Sequence, residues 1–394
     1  MDVPACRLPS RLVAGPSIYL VVVADLSASQ LVFYGVAMAI TMLVAEVPTG
    51  VVADAFSRKW SLVVAHLVMG SGMVMLGLVT AFPLLLATQV LWGLGWTFSS
   101  GADVAWITDE LDEPNRIDRV LMARARREQF GAAAGLIAFG ALAWATDLGS
   151  AVVVAGGGMI VLGLVIAMRF SEHNFTPTRE RRWRGSVAIF RRGVALARGD
   201  REILVVLAAT FLVNAGTQVG FLFPKRLLDL GFPTQPDPIV WFTALGLAAL
   251  IAGGLALRIV ESRIEGVGAP GRVYAAAAFA GTVGLLLLAG APNDATGMGG
   301  VLLVTGIAEP VTRAVSVIWV NQRVASEVRA TVHSFLSQAE VVGEIVAGIT
   351  LGVLVHATSI PLVLTVSGAL IAAAGLLVIG SRSGRARRSP VINR

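Results

Sequence analysis

Pro48 to Lys59 reads PTGVVADAFSRK, and it follows an apolar run with an abrupt turn to polar character. Small Gly50 and Ala53 would let helices approach closely, and Asp54 puts a carboxylate at a membrane boundary. Arg58 and Lys59 supply the positive charge that keeps a loop in the cytoplasm. The stretch reads as a hinge between two membrane helices, or else as a tight loop whose charge sets topology and nothing more.

The rest of the chain has the composition such a loop requires. Its 394 residues are 56% hydrophobic and 14% charged, against roughly 25% charged in soluble proteins, and the mean hydropathy is +0.77. This is an all-α polytopic membrane protein. Spans of about 20 residues allow twelve crossings, which would use roughly 240 residues and leave short loops. Cys6 is the sole cysteine and cannot form an internal disulfide. His66, His173, His333 and His356 are scattered without ligand spacing, so no metal site is read. The sequence has no phosphate-binding loop, nucleophile elbow or zinc motif. Neither ATP hydrolysis, another enzymatic activity nor a cofactor is therefore expected.

In order, the spans read as Leu8 to Asp25, Gln30 to Ala53, Trp60 to Ala81, Pro83 to Thr108, Ala123 to Thr146 and Ala151 to Met168. The first is short and reaches bilayer length only with Arg11 snorkelling to the surface; a cleaved signal peptide is the other reading. Arg169 to Arg201 then carries nine arginines against Glu172, Glu180 and Asp200, which marks a boundary between halves. Within it, Val187 to Arg198 interleaves apolar and basic residues, as an amphipathic segment on an anionic membrane or a solvated linker would. The second half gives Glu202 to Phe223, Pro238 to Arg258, Val273 to Gly290, Met298 to Val320, Thr331 to Leu354 and Ile360 to Gly380. The expected domains are thus 1–169, a basic linker 170–201, 202–381 and a basic tail 382–394. Six spans on each side of a basic linker is the pattern of a duplicated unit.

Placing both termini in the cytoplasm leaves Lys225 and Arg226 outside and Arg313 within a span, and puts every other Lys and Arg at the inner face. The net charge of +6 then follows from topology and contact with anionic lipid, and nucleic acid is not an expected partner.

Pro48 to Lys59 resembles the loop signature of the major facilitator superfamily, which has a Gly, an Asp four residues on and a basic pair between the second and third helices. EVPTG (46–50) and GVVADAFSRK (50–59) look like the version in a bacterial drug or metabolite exporter subgroup. WGLGWTFSSGADVAWITDEL (92–111), with Asp103 and Asp109, is similar to that subgroup's fourth helix, and NQRVASEVRATVHS (321–334) to its junction of helices ten and eleven. Two departures stand out. The arginine that many proton-coupled members carry on the fourth helix is missing from Gln89 to Gly93. On the fifth helix, Gly131, Gly135 and Gly140 match the antiporter pattern, but Leu136 replaces its proline.

The resemblance implies two six-helix bundles that work by alternating access in a bacterial cytoplasmic membrane, as a monomer. It also implies a gate in which Asp54 meets basic residues or a helix N-terminus of the other half, with Arg116, Arg119, Arg124 and Arg127 around the adjacent inner loop. Ionisable residues deep in a span are functional candidates by default. Glu309 and Arg313 are one turn apart on the tenth span, and Glu340 and Glu344 share that spacing on the eleventh. Crowded, desolvated carboxylates here would carry a proton, and Arg313 would hold an anionic substrate group. A purely structural ion network is the alternative. Gln89, Trp92 and Trp96 on the fourth span, Asn214 and Gln218 on the seventh, and Asp25 at the outer end of the first complete the candidates. Each has an ordinary packing or solvated role as its alternative. The functional expectation is proton-coupled export of a hydrophobic or amphiphilic small molecule. Metabolite import or facilitation, and a transport-dead sensor or scaffold, are the other readings.

Overall fold

A computed structural model describes residues 14–111, 114–175, 195, 199–264, 269–324 and 326–386. Among them there are helices and turns and no strand. The first half runs through α1 (Ala14–Val22), α2 (Ala28–Ala55), α3 (Arg58–Leu78), α4 (Phe82–Ser99), α5 (Ala102–Leu111), α6 (Pro114–Ala145) and α7 (Leu148–Arg169). The second runs through α8 (Arg201–Thr217), α9 (Phe223–Asp229), α10 (Pro238–Glu261), α11 (Ala269–Ala289), α12 (Asp294–Val301), α13 (Glu309–Arg323), α14 (Ser326–Ala357) and α15 (Ile360–Ala386). Nine helices among the described residues are long and apolar enough to cross a membrane. The order of helices is consistent with twelve crossings, α1, α4 with α5, and α6 making up the count.

Side-chain caps fix several helix starts. Ser27 and Gln30 form a reciprocal capping box at α2, with Ser27 N–H donating to Gln30 Oε1 at 2.9 Å. Ser57, Asp147, Asp200 and Asn293 cap α3, α7, α8 and α12. Pro48 lies inside α2, which continues to Ala55. The hinge expected across Pro48 to Lys59 is thus a turn confined to Phe56 and Ser57.

Three spans expected to be continuous are interrupted. The fourth breaks at Ser100 and Gly101, where Gly101 takes a left-handed backbone (φ +78) that ends α4 and lets α5 restart. The seventh tightens into a 3-10 turn over Gln218–Leu222, with Phe223 N–H bonding back to Gly220 O. Pro224 follows and lacks the amide that would continue the α pattern. The tenth contains a π segment, Leu302–Ala308, which closes with Glu309 N–H on Val304 O, next to Pro310.

The described chain groups into two compact units, one within Met1–Arg182 and Pro233–Leu247, the other within Trp183–Phe232 and Ala248–Arg394. In the first, glycines let α3 and α7 touch backbone to backbone: a Cβ at Gly77 would sit 2.5 Å from Gly149 O, and one at Gly156 2.7 Å from Gly70 O. In the second, a Cβ at Gly300 would lie 2.5 Å from Gly284 O, and one at Gly343 2.5 Å from Phe211 O. Gly50 makes no such contact. Nothing among the described residues lies within 4 Å of where its Cβ would be, contrary to the close approach expected there. Ala53 does pack, in a buried cluster with Leu62, Val63, Ala102, Trp106, Ile107 and Ile166.

Candidate functional site

That apolar cluster supports a polar assembly at the end of the first unit where α2 meets α3. Ser57 Oγ accepts Trp60 N–H at 3.0 Å as the N-cap of α3 and donates to Glu172 Oε2 at 2.5 Å. Glu172 Oε1 accepts the amides of Arg58 and Lys59 at 2.8 and 2.9 Å. A carboxylate thus closes a helix N-terminus, where free amides and the helix dipole favour negative charge.

With its backbone held there, Arg58 extends its guanidinium to Asp109 in a close ion pair and to Ala105 O at 3.1 Å. Asp54, one turn back on α2, lies 3.5 Å away. Phe175 lies under the guanidinium, 5.7 Å from ring centre to Cζ. Lys59 sits 5.7 Å from the Trp60 ring. Two acids on two elements are therefore latched together by one arginine.

Flanking contacts tie α5 to its neighbours. Buried Asp103, in the first turn of α5, meets Arg124 at 2.5 Å, and Arg124 also bridges to Glu128 at 3.0 Å. Trp106 stacks on Phe170 at 4.6 Å and donates its indole N–H to Ser171 O at 3.0 Å. Glu110 accepts the amides of His173 and Asn174 at 2.5 and 3.2 Å, and Asn174 Nδ2 donates to Asp109 O at 3.1 Å.

In the second unit, Arg313 on α13 meets Glu340 on α14 at 3.2 Å. The arginine side chain is 53% exposed. A guanidinium that far along a span cannot face hydrocarbon at low cost, so its open side requires polar surroundings. Buried Tyr274 stands beside Glu340 and Thr210. Glu309 opens α13 directly after the π segment, and Glu344 lies one turn beyond Glu340 on α14; both are half-buried. At the same end of the unit as the start of α8, Glu202 pairs closely with Arg323 and accepts the Trp319 indole N–H at 3.4 Å.

Among the expected site residues, Asp54, Arg58 and Asp109 come together, and so do Arg313 and Glu340. Arg124 serves Asp103 and Glu128 instead of Asp54. Arg127 is exposed on α6, and the side chains of Arg116 and Arg119 lie outside the described residues. Gln89 is buried beside Tyr34, its Oε1 without a hydrogen bond among the described residues, and Trp92 and Trp96 are half-buried. Asn214 donates to Thr210 O at 2.9 Å, and buried Gln218 starts the 3-10 turn, its Nε2 without a hydrogen bond among the described residues. Asp25 is an exposed turn residue at φ 46. The amphipathic reading of 187–198, residue 195 apart, and the side chains of the basic tail also lie outside the described residues, as does the first span before Ala14. Sequence reasoning passed over Glu172, Tyr34, Tyr274 and the group of Glu202, Trp319 and Arg323. The tyrosines carried a usable signal, being two of only three in the chain.

Comparison with known families matches residues 9–347 to the Major Facilitator Superfamily model. No characterised protein sequence matches significantly. Among solved structures, a mutant form of the nucleoside transporter NupG aligns over 93% of this chain and 94% of its own, with TM-score 0.77 and 13% identity. NupG itself aligns over 93% of both chains at TM-score 0.73 and 13% identity. A bacterial homologue of the human lysosomal transporter Spinster, inward-facing and unoccupied, aligns over 94% of this chain and 92% of its own at TM-score 0.65 and 14% identity.

Proposed function

We propose that this chain, which belongs to the major facilitator superfamily, is a secondary transporter that moves a small molecule by alternating access. The observation that carries this reading is the shared arginine of the first unit, Arg58, poised between Asp54 and Asp109. A transporter needs contacts that hold in one conformation and break in the other, and partner exchange at one guanidinium provides them. On this reading 1–169 and 202–381 are the moving halves, the linker 170–201 and both termini are cytoplasmic, the basic tail rests on anionic lipid, and the protein works as a monomer in the cytoplasmic membrane.

The finer assignment is proton-coupled export of a hydrophobic or amphiphilic compound. The Arg313–Glu340 pair supports coupling, because a carboxylate that exchanges an arginine for a proton links charge to conformation. Gln89, Trp92, Trp96, Asn214 and Gln218 are the substrate-side candidates, with Glu309 and Glu344 beside the coupling pair. Metabolite uptake or facilitated diffusion is a second reading, favoured by the missing fourth-helix arginine and by Leu136 in place of the antiporter proline.

A thermal-shift screen of compounds on the purified protein at two pH values tests the proposal, since a ligand that binds the folded state raises its melting temperature. Hits whose shift depends on pH support coupled transport, and transport of them into inverted but not right-side-out vesicles supports export. A hit that drives no counterflow in liposomes at either pH would sink the transporter reading.

A further inference from the structure

Glu172 lies beyond the end of α7, on the first residues of the connection between the halves, yet it makes three of the hydrogen bonds that organise the start of α3. We propose that Glu172 is a positioning residue of the gate, and that Ser171–Phe175 is a clip through which the connection between the halves acts on the Arg58 latch. The assignment rests on reading that latch as a gate.

Arg58 is held by two handles. Its amide is fixed by Glu172, and its side chain reaches Asp109, Ala105 O and Asp54. Shifting the first handle shifts the root of the guanidinium, and so its distance to Asp109. Ser57 cannot replace Glu172 here, because its oxygen already accepts the Trp60 amide and leaves those of Arg58 and Lys59 without an acceptor.

The other residues of the segment add further grips on the latch. Ser171 O takes the Trp106 indole, the amides of His173 and Asn174 hold Glu110, Asn174 Nδ2 holds Asp109 O, and Phe175 lies under Arg58. Both the arginine and its acceptor therefore hang on one short segment. Displacing that segment pulls on the two sides of the ion pair together, which makes it a mechanical input to the gate.

Backbone hydrogen exchange on the purified full-length protein tests this without a substrate. In Glu172→Ala, exchange at the Arg58 and Lys59 amides should rise about tenfold, and exchange across 105–111 should rise with it. Glu172→Gln keeps the acceptor oxygen without the charge and should fall between wild type and Glu172→Ala. Glu172→Asp, which restores the charge, should recover protection at both places. In Asp109→Asn the 105–111 region should loosen while the α3 amides stay protected. Faster exchange confined to 57–61 would make Glu172 a helix cap alone and overturn the proposal, as would no change at either place. A protein that passes these tests but fails every counterflow assay would refute the transporter reading and leave the clip in place.

Discussion

Asp25 holds a left-handed backbone at the turn after α1 (φ 46). Side chains branched at Cβ resist that conformation, and Asp and Gly tolerate it. Asp25→Val should therefore lower stability by about 1–2 kcal/mol, whereas Asp25→Gly should leave the melting temperature close to wild type. Equal melting temperatures for the two variants would show that the turn relaxes freely. At this scale the sequence was informative where partners are local or share a recognised spacing. Asp54, Arg58 and Asp109 could be named in advance from the loop and fourth-helix signatures. Glu172 could not, because its contacts reach back 113 to 115 positions and no spacing rule links an acid in a basic linker to a distant helix start. Gly50 shows the opposite failure: its smallness suggested a close contact, but smallness permits contact without requiring it.

Helices α3 and α7 pack through small residues, so a side chain placed in the seam has nowhere to go. In Gly156→Val, the Cβ alone would lie 2.6 Å from Val74 N and 2.7 Å from Gly70 O. Overpacking of this kind costs about 1–3 kcal/mol, read as a lower melting temperature, whereas Gly157→Val, where open space surrounds the position, should be nearly silent. Equal losses at both positions would contradict a tight seam. Asp147, the N-cap of α7, offers a pH test on the same helix. Hydrogen bonds from the Ser150 hydroxyl and amide hold its carboxyl below the ordinary value of 3.8. The stabilisation this gives is complete above that ordinary value and disappears as pH falls through the lower folded-state one. Asp147→Asn should then be less stable than wild type at pH 7, with the gap closing below about pH 4; a gap unchanged by acid would refute the charge contribution. Helix existence was largely legible because hydropathy reports burial in the bilayer. The interruptions at Gly101, Gln218–Leu222 and Leu302–Ala308 were not, since they arise from backbone hydrogen bonding beside glycine and proline within runs that stay apolar.

For the whole molecule, the prediction concerns coupling. If Glu340 carries the proton, Glu340→Gln should cut gradient-driven transport about tenfold or more, equivalent to roughly 1.4 kcal/mol in the barrier, while ligand-induced thermal stabilisation persists. A merely structural pair with Arg313 would lose stability and ligand binding together, and Arg313→Gln in the same chain would restore both by removing the unpaired charge. The distance in sequence between Glu172 and α3 also has a meaning in time. Ribosomes add about 5–20 residues per second, so the amides of Arg58 and Lys59 wait roughly 6–23 s of synthesis for the carboxylate that closes them. During that interval α3 must enter the bilayer on its apolar character and the Ser57 cap alone. Any nascent chain that stalls before residue 172 carries a complete signature loop and an unfinished latch.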